Sequence, residues 1–281
     1  MTGTLFSFGH GYSAQALSRL LSPQGWTIRG TTRDPAQFHT IRASGAEPFV
    51  WPGQSPDLNG VTHLLISTAP NAEGDPVLAV LKEEIAARAE QFQWVGYLST
   101  TAVYGDHQGA WVDETTPTTP TAKRGRWRLE AEQQWLGIPE LPVHIFRLAG
   151  IYGPGRGPFS KLKRVGMRRI IKPGQVFSRI HVADIAQVLA ASMAAPNPGV
   201  VYNVCDDEPV PPQDVIAYAA ELQGLPLPPA VPFDEADLTP MARSFYSENK
   251  RVRNDRIKDE LGVRLLYPDY RKGLQALMSD G

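Results

Sequence analysis

The sequence predicts an α/β protein: a doubly wound parallel sheet of the Rossmann kind with a smaller C-terminal α/β lobe. Three observations carry this. The chain opens with a short apolar strand at residues 5–8 that breaks into Gly9-x-Gly11-x-x-Ala14 and runs into a helical pattern. Short β-like runs then alternate with helical patterns through the first two-thirds, as strands covered by helices on both faces do. After about Leu148 the alternation loosens, and Pro and Gly thicken in Gly153-Pro154-Gly155-Arg156-Gly157-Pro158 and again in Pro226-Leu227-Pro228-Pro229.

Each element has its own signal. In the opening turn Gly9 suits a tight bend, Gly11 leaves room for an approaching phosphate, and the small Ala14 lets the helix pack against the strand. With Tyr12 and Ser13 these residues form the amino end of a helix at 13–21, whose unpaired N–H groups favour an anion such as a dinucleotide pyrophosphate. Leu17, Leu20 and Leu21 supply its apolar stripe. Further strands are expected at 26–31, 47–51, 63–67, 94–99, 142–148 and 200–204. Helices are expected at 35–43, 76–91, 125–136, 181–195 and 212–223, with a basic helix at 249–261 closed by Gly262. These spans place a dinucleotide-binding domain at 1–150, with 181–205 returning to it, and a substrate lobe at 151–180 and 206–281.

The second strand bears on which dinucleotide. It ends about twenty residues after the glycines, where an NAD-preferring protein carries Asp or Glu for the ribose hydroxyls. Here Thr31, Thr32 and Arg33 occupy that stretch, and no carboxylate comes before Asp34. Hydroxyls and a planar cation suit a 2′-phosphate and an adenine face, which favours NADP. NAD stays open through Asp34, and a plain solvated role for Arg33 is the alternative.

Composition narrows the classes. The chain has 281 residues, with 28 Lys and Arg against 29 Asp and Glu, so nothing suggests a nucleic-acid or anionic-membrane surface. A single cysteine, Cys205, excludes an internal disulfide and a multi-cysteine zinc site. No apolar run approaches the ~18–20 residues that span a bilayer, and the first stretch lacks the basic and small-residue flanks of a signal peptide. A cytoplasmic protein is the expectation. Neither a metal-ligand spacing nor a Gly-x-Ser-x-Gly nucleophile turn occurs.

Taken in order, several segments resemble the extended short-chain dehydrogenase/reductase superfamily, the NAD(P)-dependent sugar-nucleotide epimerases and dehydratases. They are the glycine turn; Leu98-Ser99-Thr100-Thr101-Ala102-Val103-Tyr104-Gly105; Arg147-Leu148-Ala149-Gly150-Ile151-Tyr152-Gly153-Pro154-Gly155; Arg179-Ile180-His181-Val182-Ala183-Asp184-Ile185-Ala186; and Tyr202-Asn203-Val204. The resemblance covers nearly the whole chain. It implies a nicotinamide cofactor, a catalytic hydroxyl at Thr100, and a Tyr-x-x-x-Lys pair further on. Arg124 stands at the tyrosine position and Arg128 at the lysine position. A guanidinium remains protonated in proteins, so an arginine at 124 cannot act as a general base, whereas one at 128 can still donate to ribose hydroxyls. The chain therefore looks like an atypical, epimerase/dehydratase-like branch that lacks the pair.

That resemblance also implies that Ser67, Thr68 and Ala69 line the cofactor, and that a homodimer forms. Tyr104 is a replacement proton donor or a packed loop residue, with Tyr152 a further source. His107 reads as a solvated histidine and His181 as a joint between lobes. Arg124, Arg126, Arg128, Arg156 and Arg179 could form one cationic pocket for an anionic or nucleotide-linked small molecule, or be exposed partners of Glu130 and Glu132. Lys161, Lys163, Arg164, Arg168 and Arg169 form a basic run best read as a solvated face, and Cys205 reads as a buried small hydrophobe. The function expected is an NADP(H)-preferring oxidoreductase of unknown substrate. The alternative is an NADP(H)-binding sensor or scaffold without chemistry.

Overall fold

Strand β1 (Thr4–Phe8) lies in the middle of the sheet, because its side chains are buried on both faces: Leu5 joins one apolar cluster, while Phe6 and Phe8 join the other. A computed structural model describes residues 2–53, 55–162 and 166–279. Strands β2 (Thr27–Thr32), β3 (Glu47–Val50), β4 (His63–Ile66) and β5 (Trp94–Thr100) follow, then Val143–Leu148 and Val201–Val204. All seven pair in parallel. From one edge the order is Val201–Val204, Val143–Leu148, β5, β4, β1, β2, β3. The chain moves outward from β1 to β3 and returns to the other side of β1 as β4. The carboxyl ends of β1 and β4 therefore flank the point where strand order reverses, which is where such sheets bind ligands.

One face is covered by α1 (Tyr12–Leu21) packed on the helix Val182–Ala194, burying Leu17, Leu21, Ile185 and Leu189. The other is covered by α3 (Leu78–Ala87) and α4 (Lys123–Leu136), which bury Leu81, Ile85, Ala131 and Trp135 against Phe6, Leu64 and Tyr97. Between β2 and β3 the expected helix at 35–43 is a 3₁₀ turn, Pro35–Gln37, followed by the short α2 (Phe38–Ala43). A third cluster, with Tyr152, Val215, Ala219, Tyr270 and Leu274, forms the core under the helices Pro212–Leu222 and Tyr270–Ser279.

The basic helix expected at 249–261 is not what forms. Only Asp255–Asp259 is helical, and Arg251–Val252 is a strand paired with Trp111–Val112. The partner lies some 140 residues away along the chain, so a local helical pattern gives way to a long-range ladder. Asn249 is tied into the same junction, its carbonyl accepting from the N–H groups of His107 and Gly109. Among the described residues no helix is long and apolar enough to cross a membrane, and no cluster of three or more His, Cys, Asp or Glu side chains has a metal-holding arrangement.

Candidate functional site

Gly9 ends β1 with φ +76°, a left-handed conformation that glycine adopts without penalty. A Cβ there would press on Thr68, 3.0 Å from its backbone nitrogen. The turn is held from β2: the Thr31 hydroxyl accepts from the Gly9 N–H at 2.8 Å, and the His10 N–H donates to the Thr31 carbonyl at 2.8 Å. Thr31 is buried, so it supports the glycine turn rather than offering a hydroxyl to a ligand.

The amino end of α1 has Gly11 as its cap, no side-chain cap and no acidic residue in the first turn. Ser13 and Ala14 are buried at that end. Its first N–H groups and the positive end of the helix dipole are thus left for an anion. His10 points the other way, beneath β2, into the space where a Cβ on Gly30 would overlap its ring. Its Nε2 lies 3.1 Å from Ser18 Oγ and 3.3 Å from Ser44 Oγ, and burial, with Arg19 nearby, lowers its pKa to about 4.

Beyond β4, Ser67 and Thr68 are half-buried and Ala69 is exposed. The Thr68 hydroxyl is a buried oxygen without a hydrogen-bond partner, beside Gly9. Past β2 the Thr32 hydroxyl folds back to Asp34, accepting from its N–H at 3.1 Å. Asp34 Oδ1 in turn accepts from the Ala36 N–H at 2.9 Å, capping the 3₁₀ turn. That leaves Arg33 exposed at the strand end.

The five arginines do not converge. Arg128 reaches inward: its Nη1 donates to the Leu98 carbonyl at 2.6 Å and the Thr68 carbonyl at 3.3 Å, over the Tyr97 ring. It therefore stands at the carboxyl ends of β4 and β5. Arg124 is exposed on the first turn of α4, and Arg126 donates to the Thr121 carbonyl at 2.7 Å. Arg156 lies over Tyr12, and Arg179 donates to the carbonyls of Phe177 and Val210. Arg124 and Arg128, four residues apart, start from the same face of α4, but only Arg128 turns inward; Arg126 leaves from another face of that helix, Arg156 lies on the turn after Gly153, and Arg179 is in the strand Arg179–His181. An open groove of 420 Å³ beside α4 takes in Arg126 with Thr119, Pro120, Leu129, Glu130 and Gln133.

Tyr104 is wholly buried. Its hydroxyl donates to Asn203 Oδ1 at 2.8 Å and accepts from Arg147 Nη1 at 3.0 Å, and burial raises its pKa. It packs in the interior, as the second of its two expected roles has it. The Thr100 hydroxyl accepts from the Ala102 N–H at 3.2 Å, capping a one-turn 3₁₀ helix, Thr101–Tyr104. Tyr152 is also buried, with its pKa raised by burial and neighbouring carboxylates. His107 is half-buried, with Nε2 at 3.0 Å from the Tyr104 carbonyl, rather than solvated. His181 caps the helix Val182–Ala194 through Nδ1, and the Cys205 thiol is buried against the Val252 carbonyl at 3.2 Å. Lys163 and Arg164 lie outside the described residues; Arg168 is exposed, and Arg169 donates to the Pro228 carbonyl.

The sequence reading missed a buried polar network below this site. Glu132, expected on the surface, is 2% exposed and pairs with Arg147 at 2.8 Å. The Ser99 hydroxyl donates to Glu132, and Arg147 carries the chain on to Tyr104 and Asn203. A signal was present. Arg147 is the one charge in a strand buried throughout, and it is the cross-strand register partner of Ser99.

No family model matches the chain. A functionally unknown conserved protein from Silicibacter pomeroyi DSS, of known structure, is 79% identical to it, covers 99% of each chain and superposes with a TM-score of 0.98. The chain belongs to the same family as that protein. Protein YeeZ of Escherichia coli (strain K12) is 29% identical over 278 residues, or 93% of this chain and 95% of its own. The human epimerase family protein SDR39U1, solved with NADPH, is 16% identical with a TM-score of 0.77 over 99% of both chains. At that identity it establishes the shared fold: a doubly wound α/β sheet of the epimerase/dehydratase architecture.

Proposed function

We propose that the protein binds NADP(H) in the crevice between β1 and β4 and acts as an epimerase/dehydratase-like oxidoreductase. The observation that carries the proposal is the convergence at that crevice. Gly9 bends at positive φ, α1 presents an uncapped amino end, and the buried Thr68 hydroxyl lacks a partner in the protein. A dinucleotide fits this set: Gly9, Gly11, Tyr12, Ser13 and Ala14 would hold its pyrophosphate, and Ser67, Thr68 and Ala69 would line it. Solved structures of similar fold include one with NADPH and others with NAD, which supports a nicotinamide dinucleotide without choosing between the two.

NADP over NAD is favoured by what Asp34 does. Its Oδ1 is taken by the 3₁₀ turn, while Arg33 stands exposed at the end of β2. Arg33 would meet the 2′-phosphate. Arg128, anchored on the Leu98 and Thr68 carbonyls through Nη1, would turn its other donors to the nicotinamide ribose.

A bound nicotinamide would supply hydride transfer. Around it, the Thr100 oxygen accepts from the Ala102 N–H and keeps its own proton to donate to a substrate oxygen. Arg124 would stabilise negative charge developing there without exchanging a proton. Tyr104 and Tyr152 are buried and take no part, so any proton required comes from solvent. The substrate would be a small anionic or nucleotide-linked molecule.

The burial of Tyr104 favours a second reading, a dinucleotide-binding sensor or scaffold without turnover. Isothermal titration with NADPH and NADH on the wild type, Arg33→Ala and Arg124→Ala tests the first step. The proposal expects NADPH to bind more tightly than NADH, with that preference lost in Arg33→Ala and kept in Arg124→Ala. Absence of binding by either dinucleotide would end both readings. Turnover of nucleotide sugars or carbonyl compounds with NADPH separates enzyme from sensor.

A further inference from the structure

The loop after Gly150–Tyr152 crosses to the glycine turn and is fastened there. Gly153 and Arg156 exchange backbone hydrogen bonds of 2.8 and 2.9 Å, closing a four-residue turn with Gly155 at φ +70°. The Tyr12 hydroxyl donates to the Pro154 carbonyl at 2.9 Å, joining residues 142 apart in sequence. Gly153 makes that approach possible, since a Cβ there would lie 2.6 Å from the Tyr12 hydroxyl. The turn then lays the Arg156 guanidinium over the Tyr12 ring, 5.6 Å from its centroid.

Two features make this more than a surface contact. Arg156 is exposed, and among the described residues its guanidinium has neither an ion pair nor a hydrogen bond, so its donors are uncommitted. Tyr12 directly follows Gly11, so the cation sits over the first residue of α1. The charges acting on the Tyr12 phenol, Arg156 and Arg19, are both positive. The helix amino end and the unpaired planar cation carried over its first residue both offer donors to a diphosphate.

We infer that Arg156, carried by the 153–156 turn and platformed on Tyr12, is a dinucleotide-binding residue that grips the pyrophosphate at the amino end of α1. The inference rests on the dinucleotide reading above and extends it to a residue of the second lobe. It moves Arg156 from an expected substrate pocket to the cofactor's diphosphate. Because the diphosphate is common to both nicotinamide dinucleotides, Arg156 adds affinity without selecting between them, the reverse of Arg33.

The test is titration of wild type, Arg156→Ala and Arg33→Ala with NADPH and with NADH at two NaCl concentrations. Arg156→Ala is expected to weaken both on the order of tenfold, as loss of one charge-assisted contact does. The NADPH-to-NADH ratio should stay as in the wild type, and the salt dependence of binding should become shallower. Arg33→Ala should change the ratio. Unfolding midpoints of the Arg156 variant should match the wild type, because the side chain is exposed. Wild-type binding with Arg156→Ala unchanged, or a loss confined to one dinucleotide, overturns the inference alone. A wild type that binds neither overturns the dinucleotide reading and this inference together.

Discussion

Lowering the pH from 7 to 5 probes the packing under the glycine turn through His10. The ring is 3% exposed, fills the space left by Gly30, and has its pKa lowered from 6.5 to about 4, chiefly by burial. The folded protein therefore holds His10 neutral over a range where the unfolded chain is protonated. Stability is full above pH 6.5 and is lost as pH falls toward 4, because the unfolded state binds the extra proton. From these two values the loss from His10 comes to about 2 kcal/mol at pH 5 and reaches about 3 kcal/mol below pH 4. His63 and His144, both lowered to about 4, add losses of the same sign. The variant His10→Gln isolates the share of His10, since an amide can bond Ser18 and Ser44 without titrating. Urea unfolding followed by tryptophan fluorescence gives each stability by linear extrapolation. The variant should lose about 2 kcal/mol less than the wild type between pH 7 and pH 5. Equal losses would show that His10 is not held neutral beneath β2, and the account of the turn would fail.

Three further outcomes follow from the site. Gly9→Ala puts a side chain at φ +76° against the Thr68 backbone; it should destabilise by about 1–3 kcal/mol and abolish NADPH binding in titration. Tyr104→Phe removes the bonds to Asn203 and Arg147. It should cost about 1–3 kcal/mol by urea unfolding and leave NADPH affinity unchanged, whereas a large loss of turnover with normal stability would return Tyr104 to the chemistry. Glu132→Gln leaves the Arg147 charge buried beside a neutral amide, and the expected cost is about 3–5 kcal/mol; a change under about 1 kcal/mol would mean that the pair is solvated.

The inner strands of the central sheet were legible because they are apolar runs between turn residues, and burial on both faces demands such runs. His63–Ile66 and Val143–Leu148 are buried throughout, and their ends fall within a residue of the expectation. The glycine turn was legible for the same local reason. By contrast, the 249–261 stretch carried a helical pattern whose first residues were claimed by a ladder with Trp111–Val112. The fate of Tyr104 likewise depended on Asn203, 99 residues on.

The sequence by itself determined the order of the seven central strands along the chain, the main helices that cover them, and the turn that ends β1. These are set by hydrophobic period, by glycine's access to positive φ, and by the small residue at Ala14. Tertiary structure alone decided where the charged side chains go. Five arginines that could have shared one anion pocket go to separate surroundings, with Arg128 on strand-end carbonyls and Arg156 on Tyr12. Glu132 goes inward to Arg147 and Ser99. A buried charge is stable only where long-range packing brings it a partner, and that pairing has no local signature in the chain.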